Sequence, residues 1–347
     1  MQNAECRIIS AFSILSVYWD MGLLYNKAKS NISEVTMKLS EFHIGDSFTG
    51  FYILKNVRNM VTNSGKPYLS CALADASMMI EAKVWDYAGP IGPAEEGKVA
   101  KVQGVLQEFK GAPQIKVERI RMASPQDQYD LADLVPVAPV DRDAAYDRVL
   151  GMVETMSDGD YKAVCRAFLA RHGEGLKAVP AAKSVHHGFV GGLLMHTSYM
   201  LETAEFLARL YSAVIDRDLL LAGTLLHDIA KLEEFVVSEL GMVTEYSVKG
   251  QLLGHLVLGA QEAAEVCKTL NVPEEKSILL QHLLLSHHGQ PEFGAAVVPM
   301  CAEAELLNYI DNIDAKMEIY RENLEKTQPG TFSPRIFALE KRIFNHG

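Results

Sequence analysis

The spacing of apolar residues divides the chain into two parts near residue 125. Between Asp46 and Met122, short apolar runs alternate with polar or Gly/Pro-rich turns, as is typical of strands. The predicted strands are Asp46–Val57, Pro67–Ala74, Met78–Trp85, Val99–Phe109 and Gln114–Arg121. Five short strands with one longer loop before the fourth indicate a small Greek-key barrel of the OB type, although periodicity alone also allows other five-stranded barrels.

Beyond residue 140 the apolar spacing becomes helical. The run Leu219–Leu226 is apolar on most sides and predicts a largely buried helix. Phe235–Tyr246 has valines on both sides of Gly241 and predicts a small hairpin. The predicted helices are Asp141–Met156, Asp160–Arg171, Gly191–Tyr211, Asp216–Glu234, Leu252–Leu270, Glu274–Ser286 and Cys301–Lys326.

These patterns predict a multidomain α+β protein, with an N-terminal OB-type barrel and a C-terminal all-α bundle that carries the hairpin. A length of 347 residues suits two domains. The predicted segments are an N-terminal extension at 1–36, the barrel at 37–125, a linker at 126–140, the helical domain at 141–326 and a C-terminal tail at 327–347. Trp19 and Asp20 interrupt the apolar run Ile8–Val17, so we expect neither a signal peptide nor a membrane span.

Composition and charge change this picture in two ways. The chain carries a net charge of −11, but residues 38–125 hold 11 Lys/Arg against 9 Asp/Glu, while residues 126–347 hold 19 against 32. The barrel segment is therefore the better candidate for contact with a polyanion. The five cysteines are scattered and odd in number, which argues against a disulfide framework or a zinc knuckle and fits a reducing cytoplasm.

Histidines are concentrated in the helical part. Eight of the eleven lie between His186 and His288, about one per predicted helix and near helix ends. Packed helices can direct one such side chain each into a shared cavity. The series is His186, His187, His196, His227, His255, His282, His287 and His288, with Asp228 and Asp311 as carboxylates. Imidazole with carboxylate is a ligand set for Mn²⁺, Fe²⁺, Co²⁺, Ni²⁺ or Zn²⁺, whereas Mg²⁺ prefers oxygen ligands.

The dipeptide His227-Asp228 is the centre of this series. It ends a helix that is too apolar to face water, and a buried carboxylate needs a partner, which a metal supplies. Lys231 lies one turn further along and can stabilise charge on a phosphate or hold Asp228 in place. We expect ordinary structural roles for His43, His172, His346 and His282, and a solvated or paired helix face for Asp314 and Lys316.

These residues resemble the HD-domain superfamily of metal phosphohydrolases, and more closely the YhaM-type 3′→5′ exoribonucleases. The resemblance rests on the run His186–Thr197, on Gly254-His255-Leu256, on Ser286-His287-His288-Gly289 and on Tyr309–Lys316. It covers about nine-tenths of the chain, because that family also has an OB-type domain before its HD domain. Two departures are the leading 36 residues and Ala295-Ala296, which stand where a Ser-Pro pair is expected.

The resemblance implies an enzyme that degrades single-stranded RNA, and some DNA, from the 3′ end to nucleoside 5′-monophosphates, with Mn²⁺ favoured. One ion would be held by His196, His227, Asp228 and Asp311. A second would use His255 with His287 or His288, and Asp228 would bridge the two ions. Lys231, and His186 or His187, would steady the phosphate or protonate the leaving 3′ oxygen.

The barrel would hold the upstream strand by phosphate contacts and stacking. The residues predicted to contact nucleic acid are Tyr52, Lys55, Lys66, Tyr68, Lys83 and Trp85, although aromatic residues at such positions more often form barrel core. A homo-oligomer is compatible with this reading. Two alternatives stay open from sequence: an HD-type nucleotide phosphohydrolase or cyclic-nucleotide phosphodiesterase, and a non-catalytic nucleic-acid-binding protein.

Overall fold

The computed structural model describes residues 37–182 and 187–347. The predicted extension at residues 1–36 therefore lies outside the described residues. Contacts divide the described chain into two units, one that runs to Val137 and includes Ser238–Leu240, and one formed by Ala138–Val237 and Gly241–Gly347. The predicted fold class, an N-terminal barrel followed by a helical domain with a hairpin, is confirmed.

The first unit is a closed five-stranded barrel. Its strands are β1 (Ser47–Val61), β2 (Pro67–Ala74), β3 (Met79–Trp85), β4 (Val99–Phe109) and β5 (Ala112–Met122). Neighbours around the barrel follow the order β1-β2-β3-β5-β4, and every pairing is antiparallel except that of β3 with β5. This is the Greek-key arrangement of an OB-fold. A bulge between Lys55 and Arg58, with Asn56 at φ 52°, bends the long β1 so that it pairs with both β2 and β4.

The second unit is a bundle of helices with one hairpin. Its helices are α2 (Arg142–Glu154), α3 (Gly159–Ala178), α4 (Gly192–Leu210), α5 (Arg217–Leu226), α6 (Lys231–Glu234), α7 (Val248–Leu270), α8 (Glu274–Ser286) and α9 (Ala302–Glu325), after a short α1 (Leu131–Leu134) in the first unit. The hairpin consists of β6 (Phe235–Val237) and β7 (Val243–Tyr246). Within the described residues, no helix is both long and apolar enough to cross a membrane.

Local sequence explains where several of these helices begin. Asp141, Asp158 and Asp216 each precede a helix, and each carboxylate accepts hydrogen bonds from two free backbone N–H groups of the first turn. Such caps stabilise a helix by roughly 1 kcal/mol. The helices then pack leucines and valines into one core, in which every residue of the run Leu219–Leu226 is buried. The apolar run of α5 therefore lies at the centre of the bundle.

Two segments predicted as linker and tail are folded. In the linker, α1 packs Leu134 inward, and Asp133 accepts a backbone hydrogen bond from Ala76 of the barrel unit. In the tail, backbone bonds pair Ser333 with Ile343 and Ile336 with Lys341 in an antiparallel turn. The tail packs on the helical unit, and the linker is divided, with α1 in the first unit and Ala138 bonded to Val190 in the second.

Candidate metal centre

Five elements of the helical unit each direct one or two polar side chains to a common interior point. His196 lies in the first turns of α4, and Asp311 lies within α9. The other members stand at helix ends or kinks: His227 at the end of α5, Asp228 in the turn that follows, His255 in α7, and His287 with His288 after α8. The structure therefore brings together all seven residues that the sequence predicted as metal ligands.

The turn after α5 explains the position of the His-Asp pair. The sequence predicted one helix over Asp216–Glu234, and this was wrong, because α5 ends at Leu226 and α6 begins at Lys231. Tight backbone bonds close the interval, from Ile229 N to Leu226 O and from Lys231 N to Asp228 O. The turn aims the imidazole and the carboxylate into the same interior space.

Gly254 interrupts α7 and thereby sets the direction of His255, as the turn after α5 does for His227 and Asp228. Its backbone, at φ 71° and ψ 162°, breaks the helix one residue before His255. This conformation is readily available only to glycine. The kink directs the backbone N–H of His255 to Oε1 of Glu234 at 3.1 Å. The imidazole of His255 also bonds the Glu234 carboxylate.

The ligand atoms form two groups, with Asp228 between them. In one group, single atoms of His196, His227 and Asp311 lie within 4.8 Å of one another, and His255, His287 and His288 form the other. Oδ2 of Asp228 lies 3.4 Å from Nε2 of His227, on the side of the first group. Oδ1 of Asp228 lies 3.3 Å from Nε2 of His255, on the side of the second. One carboxylate thus faces both groups.

Several buried ligand atoms at this point have no hydrogen-bond partner among the described residues. They are Oδ1 of Asp228, Nε2 of His255, Nε2 of His287 and Nδ1 of His288. A buried polar atom left unpaired costs roughly 1–3 kcal/mol. Oδ1 of Asp228 lies 3.3 Å from Nε2 of His255 and 3.8 Å from Nε2 of His287, and these three atoms in one place fit a bound cation, because nitrogen and carboxylate oxygen are donors for divalent transition metals.

Two of the histidines are held by backbone carbonyl groups. Nδ1 of His227 donates to the carbonyl of Thr224 at 2.8 Å, and Nδ1 of His287 donates to that of Leu284, also at 2.8 Å. A carbonyl oxygen only accepts, so Nδ1 carries the hydrogen in both rings. In the neutral imidazole, Nε2 then carries the lone pair that can bind a metal; in His287 this atom has no hydrogen-bond partner among the described residues, and in His227 it lies 3.2 Å from Nε2 of His196.

Two further histidines are held by carboxylates that the sequence analysis did not identify as functional. Nδ1 of His255 donates to Glu234 at 3.1 Å, and Nδ1 of His196 donates to Asp314 at 2.6 Å. Asp314 is thus paired rather than solvated. It lies one turn after Asp311 on α9, so helical spacing was a usable signal, whereas no pattern in the sequence singled out Glu234. Carboxylates behind metal-binding histidines fix the ring and its tautomer.

The two histidines predicted as catalytic have different outcomes. His186 lies outside the described residues. His187 is fully buried, and its Nε2 bonds Oδ2 of Asp314 at 2.8 Å. The structure therefore places His187 behind His196, where it supports the shared carboxylate. His282, for which we expected a structural role, accepts a hydrogen bond from the backbone of Met300.

Charges at the centre stabilise Asp228 in its ionised form. Burial raises the pKa of this carboxyl, but Lys231 and His227 lower it well below its ordinary value overall. Nζ of Lys231 donates to Oδ2 of Asp228 at 2.6 Å, and the carboxylate in turn raises the pKa of this half-buried ammonium against the effect of burial. Of the two functions predicted for Lys231, the contact with Asp228 is therefore present.

Protonation differs between the histidines of the centre. Burial and the nearby His227 and His288 lower the pKa of His287 far below its ordinary value, so its ring is neutral. Burial also lowers the pKa of His196, but hydrogen bonds with Asp311 and Asp314 raise it to about 10 overall. A metal bound at Nε2 of His196 would need that nitrogen without its proton, so metal binding there would be coupled to proton release.

The barrel residues predicted to contact nucleic acid separate into buried and exposed positions. Tyr52 is only 1% exposed and packs in the barrel core with Phe48, so its prediction as a stacking residue was wrong. Trp85 is 47% exposed, and its ring lies 4.9 Å from that of Tyr68 on the neighbouring strand. Lys83, on the same face, donates to Ser70 at 2.6 Å.

A row of basic residues crosses this outer face. Arg58 of β1 is paired with Ser70, Ser70 with Lys83, and Lys83 with Lys116 of β5. Residues paired across neighbouring strands point to the same side of a sheet. Arg58 and Lys116 were not singled out from sequence, because their alignment depends on strand register. Exposed Lys55 and Lys66 flank the row on β1 and at the β1–β2 turn.

Comparison with known proteins adds four findings. The HD domain family model matches residues 193–316. The 3′-5′ exoribonuclease YhaM of Oceanobacillus iheyensis is 38% identical over 307 residues, which cover 87% of this chain and 94% of that protein. Among solved structures, the second OB-fold domain of replication protein A from Methanococcus maripaludis is matched over 100% of its own length and 28% of this chain, at 18% identity and a TM-score of 0.20. The OB domain of Ta0387 from Thermoplasma acidophilum matches 27% of this chain and 91% of its own, at 10% identity and a TM-score of 0.22.

Proposed function

The chain belongs to the YhaM family of 3′-5′ exoribonucleases and is a metal-dependent hydrolase of phosphodiester bonds, and from this premise we propose that it removes nucleotides one at a time from the 3′ end of single-stranded RNA. In each cycle, water attacks the phosphate between the last two nucleotides. The bond from phosphorus to the 3′ oxygen of the preceding nucleotide breaks. The products are a nucleoside 5′-monophosphate and an RNA with a new 3′ hydroxyl.

The metal centre carries this proposal through one observation, the convergence of three unpartnered buried atoms, Oδ1 of Asp228 and Nε2 of His255 and His287, beside the two ligand groups. His196, His227 and Asp311 would hold one cation, and His255, His287 and His288 the other, with Asp228 shared. Divalent cations at such a position acidify water and neutralise the charge of a phosphate. The histidine-rich donor set supports Mn²⁺, Fe²⁺, Co²⁺, Ni²⁺ or Zn²⁺, and we propose two Mn²⁺ ions as the native occupants.

The residues around the ligands set their orientation before substrate arrives. Glu234 and Asp314 hold the rings of His255 and His196, and Lys231 holds the carboxylate of Asp228. A preorganised centre does not have to reorder its dipoles during the reaction. Lys231 has further N–H donors beyond the one given to Asp228, and we propose that one of them contacts the scissile phosphate.

The barrel supports the proposal by offering a surface for a single strand. Tyr68 and Trp85 present two neighbouring rings, and Arg58, Lys83 and Lys116 give positive charge along the same face. Stacking on aromatic rings and phosphate contacts bind single strands with little base preference. We propose that this face, with Lys55 and Lys66 at its margin, binds the upstream part of the RNA.

Location and assembly are also proposed. The described cysteines Cys71, Cys165, Cys267 and Cys301 form no disulfide, which supports a reducing cytoplasm. A homo-oligomer stays a prediction.

Product analysis tests the proposed function. A 5′-labelled single-stranded RNA should be shortened one nucleotide at a time in Mn²⁺, with 5′-monophosphates as products, and a chelator should stop the reaction. A 3′-phosphate should slow it, and a circular RNA of the same sequence should persist. Cleavage of the circle at a similar rate would contradict the exonuclease proposal. Hydrolysis of free nucleotides without attack on RNA would favour a nucleotide phosphohydrolase.

A further inference from the structure

The loop of residues 290–300 leaves the metal centre shortly after His288 and leads to α9. Its large apolar side chains are exposed instead of packed in the core; they are Phe293, Val297, Val298 and Met300. Phe293 is 75% exposed. Glu292 is the only charged residue of the loop, which therefore offers apolar surface but no positive charge for a phosphate. Exposed apolar groups that cluster beside a site mark a binding surface.

The loop borders the open side of the metal centre. His255 and His287 are buried, whereas His288 is half-buried, so the second ligand group reaches solvent at His288. Gly294 lies against that imidazole, because a Cβ placed on this glycine would stand 3.3 Å from Nδ1 of His288. Gly294 is itself exposed, and Phe293 precedes it with a Cα about 3.8 Å away. The loop therefore carries the exposed ring of Phe293 at the edge of the opening.

Backbone hydrogen bonds fix the position of this edge. The N–H of Phe293 donates to the carbonyl of Gln290 at 2.9 Å, and the N–H of Ala296 donates to that of Leu285 in α8, also at 2.9 Å. The turn is therefore formed before any substrate arrives. A preordered binding surface loses less conformational entropy when a ligand binds.

The segment before His255 adds a second piece of exposed apolar surface. Leu252 and Leu253 directly precede the kink at Gly254 and are exposed. The ring centroids of His255 and His288 lie 5.3 Å apart, so these two histidines join the two apolar segments. Of residues 252–253 and 290–300, only Phe293 is aromatic. Phe293 is therefore the side chain suited to stacking on a base.

We propose that Phe293 stacks on the base of the 3′-terminal nucleotide while the 5′-phosphate of that nucleotide lies at the metal centre. The inference rests on the proposed exonuclease function, in which this phosphate is the one that is cleaved. The base lies one ribose away from it, and therefore at the edge of the opening. Stacking on a ring tolerates every base, which suits an enzyme that releases one nucleotide after another.

A substrate without its terminal base tests the proposal directly. The full Mn²⁺-loaded chain, its Phe293→Ala and Phe293→Tyr variants, and a matched control, Phe337→Ala at a 95% exposed position, are compared on one RNA with an intact or an abasic 3′-terminal nucleotide. For the unaltered chain, kcat/KM for release of the first nucleotide should fall about 5- to 150-fold on the abasic RNA, the range that corresponds to one stacked base. Phe293→Ala should show that loss on intact RNA and little additional loss on the abasic one. Phe293→Tyr keeps a ring and should behave like the unaltered chain, as should Phe337→Ala.

Three results would overturn the proposal. In Phe293→Ala, the loss could be equal on both RNAs or absent from both. It could instead depend on the base of the penultimate nucleotide, tested with an RNA that is abasic there. Mn²⁺ affinity should be the same in all four proteins, and a loss of it in both Phe293 variants would assign this residue to the folding of the loop.

A binding assay separates this proposal from the exonuclease function. In isothermal titration calorimetry of the Mn²⁺-loaded chain, adenosine 5′-monophosphate should bind about 5- to 150-fold more tightly than ribose 5-phosphate. The difference should disappear in Phe293→Ala. A chain that makes this distinction but leaves RNA intact would retain the base site and refute the exonuclease. A chain that degrades RNA but binds both compounds equally would refute the assignment of Phe293 alone.

Discussion

The barrel and the helical bundle expose their functional side chains in opposite ways. In the bundle, His196, His227 and Asp228 are buried, and each makes hydrogen bonds or ion pairs that hold it in place. On the barrel, Trp85 and Lys116 stand on the outer face of two strands, largely open to solvent. Bond cleavage needs fixed geometry, whereas holding a strand of any sequence needs accessible rings and charges. The comparison predicts that a single substitution in the bundle reduces RNA degradation strongly. A single substitution on the barrel should weaken RNA binding by a small amount, and such losses should add up.

The largest loss of RNA degradation is expected from substitution of Asp228, the carboxylate that faces both ligand groups. Asp228→Asn removes the charge that faces both ligand groups and takes the ion-pair partner from the half-buried Lys231. We expect RNA degradation to fall by more than about 100-fold, because residues that only support a metal ligand already cost 10–100-fold when mutated. Metal content of the purified protein should fall as well.

His282→Ala is the matched control for this experiment when it is compared with His227→Ala. Both histidines belong to the bundle, but the only hydrogen bond of the His282 side chain among the described contacts is with the backbone of Met300. Near-normal activity in Asp228→Asn or His227→Ala, or an equal loss in His282→Ala, would contradict the distinction between ligand and structural histidines.

The next effect concerns the carboxylate behind His255. Glu234→Gln keeps the size of the side chain but weakens the charge-assisted bonds to Nδ1 and to the backbone N–H of His255. We expect a 10–100-fold loss in Mn²⁺ affinity or activity. Glu233→Gln, at the adjacent position that pairs with Lys249 on the surface, should leave both within about twofold. Equal behaviour of the two variants would mean that Glu234 does not position the ring.

On the barrel, removal of one ring should weaken RNA binding without affecting the chemical step. For Trp85→Ala we expect an affinity for single-stranded RNA lower by about 1–3 kcal/mol, measured by fluorescence anisotropy, because one stacking surface is lost. Hydrolysis of bis-p-nitrophenyl phosphate should be unchanged. If Trp85→Ala reduced both RNA affinity and hydrolysis of bis-p-nitrophenyl phosphate, the assignment of RNA binding to the barrel and of hydrolysis to the bundle would be contradicted.

The smallest effect is expected for single charges in the basic row. Lys116→Gln should weaken RNA binding slightly and make its logarithmic dependence on salt shallower by about 0.7, the contribution of one phosphate contact on a single strand. Lys249→Gln removes one exposed lysine from the helical unit and should leave the slope unchanged. The same slope in both variants would exclude Lys116 from the contact surface.

Local pattern was sufficient to predict much of both units. Short apolar runs bounded by turn residues predicted five strands, and four of them lie within two residues of the observed bounds at either end. The residue types and their order along the chain predicted which histidines and aspartates the bundle brings together. These features depend on residues close in sequence, and each element carries its own signal.

Strand register and contacts between residues distant in sequence decided which side chains point inward and which carboxylate pairs with which histidine. Tyr52, Ile53 and Leu54 are consecutive and all buried, so alternation could not show that Tyr52 points inward. The partners His196 and Asp314 are 118 residues apart, and His255 and Glu234 are 21 apart. Helical packing decides which carboxylate reaches which imidazole, because the same charged side chain can bind a neighbour or face solvent. The sequence therefore determined which chemical groups the protein has, and the tertiary structure determined which of them meet.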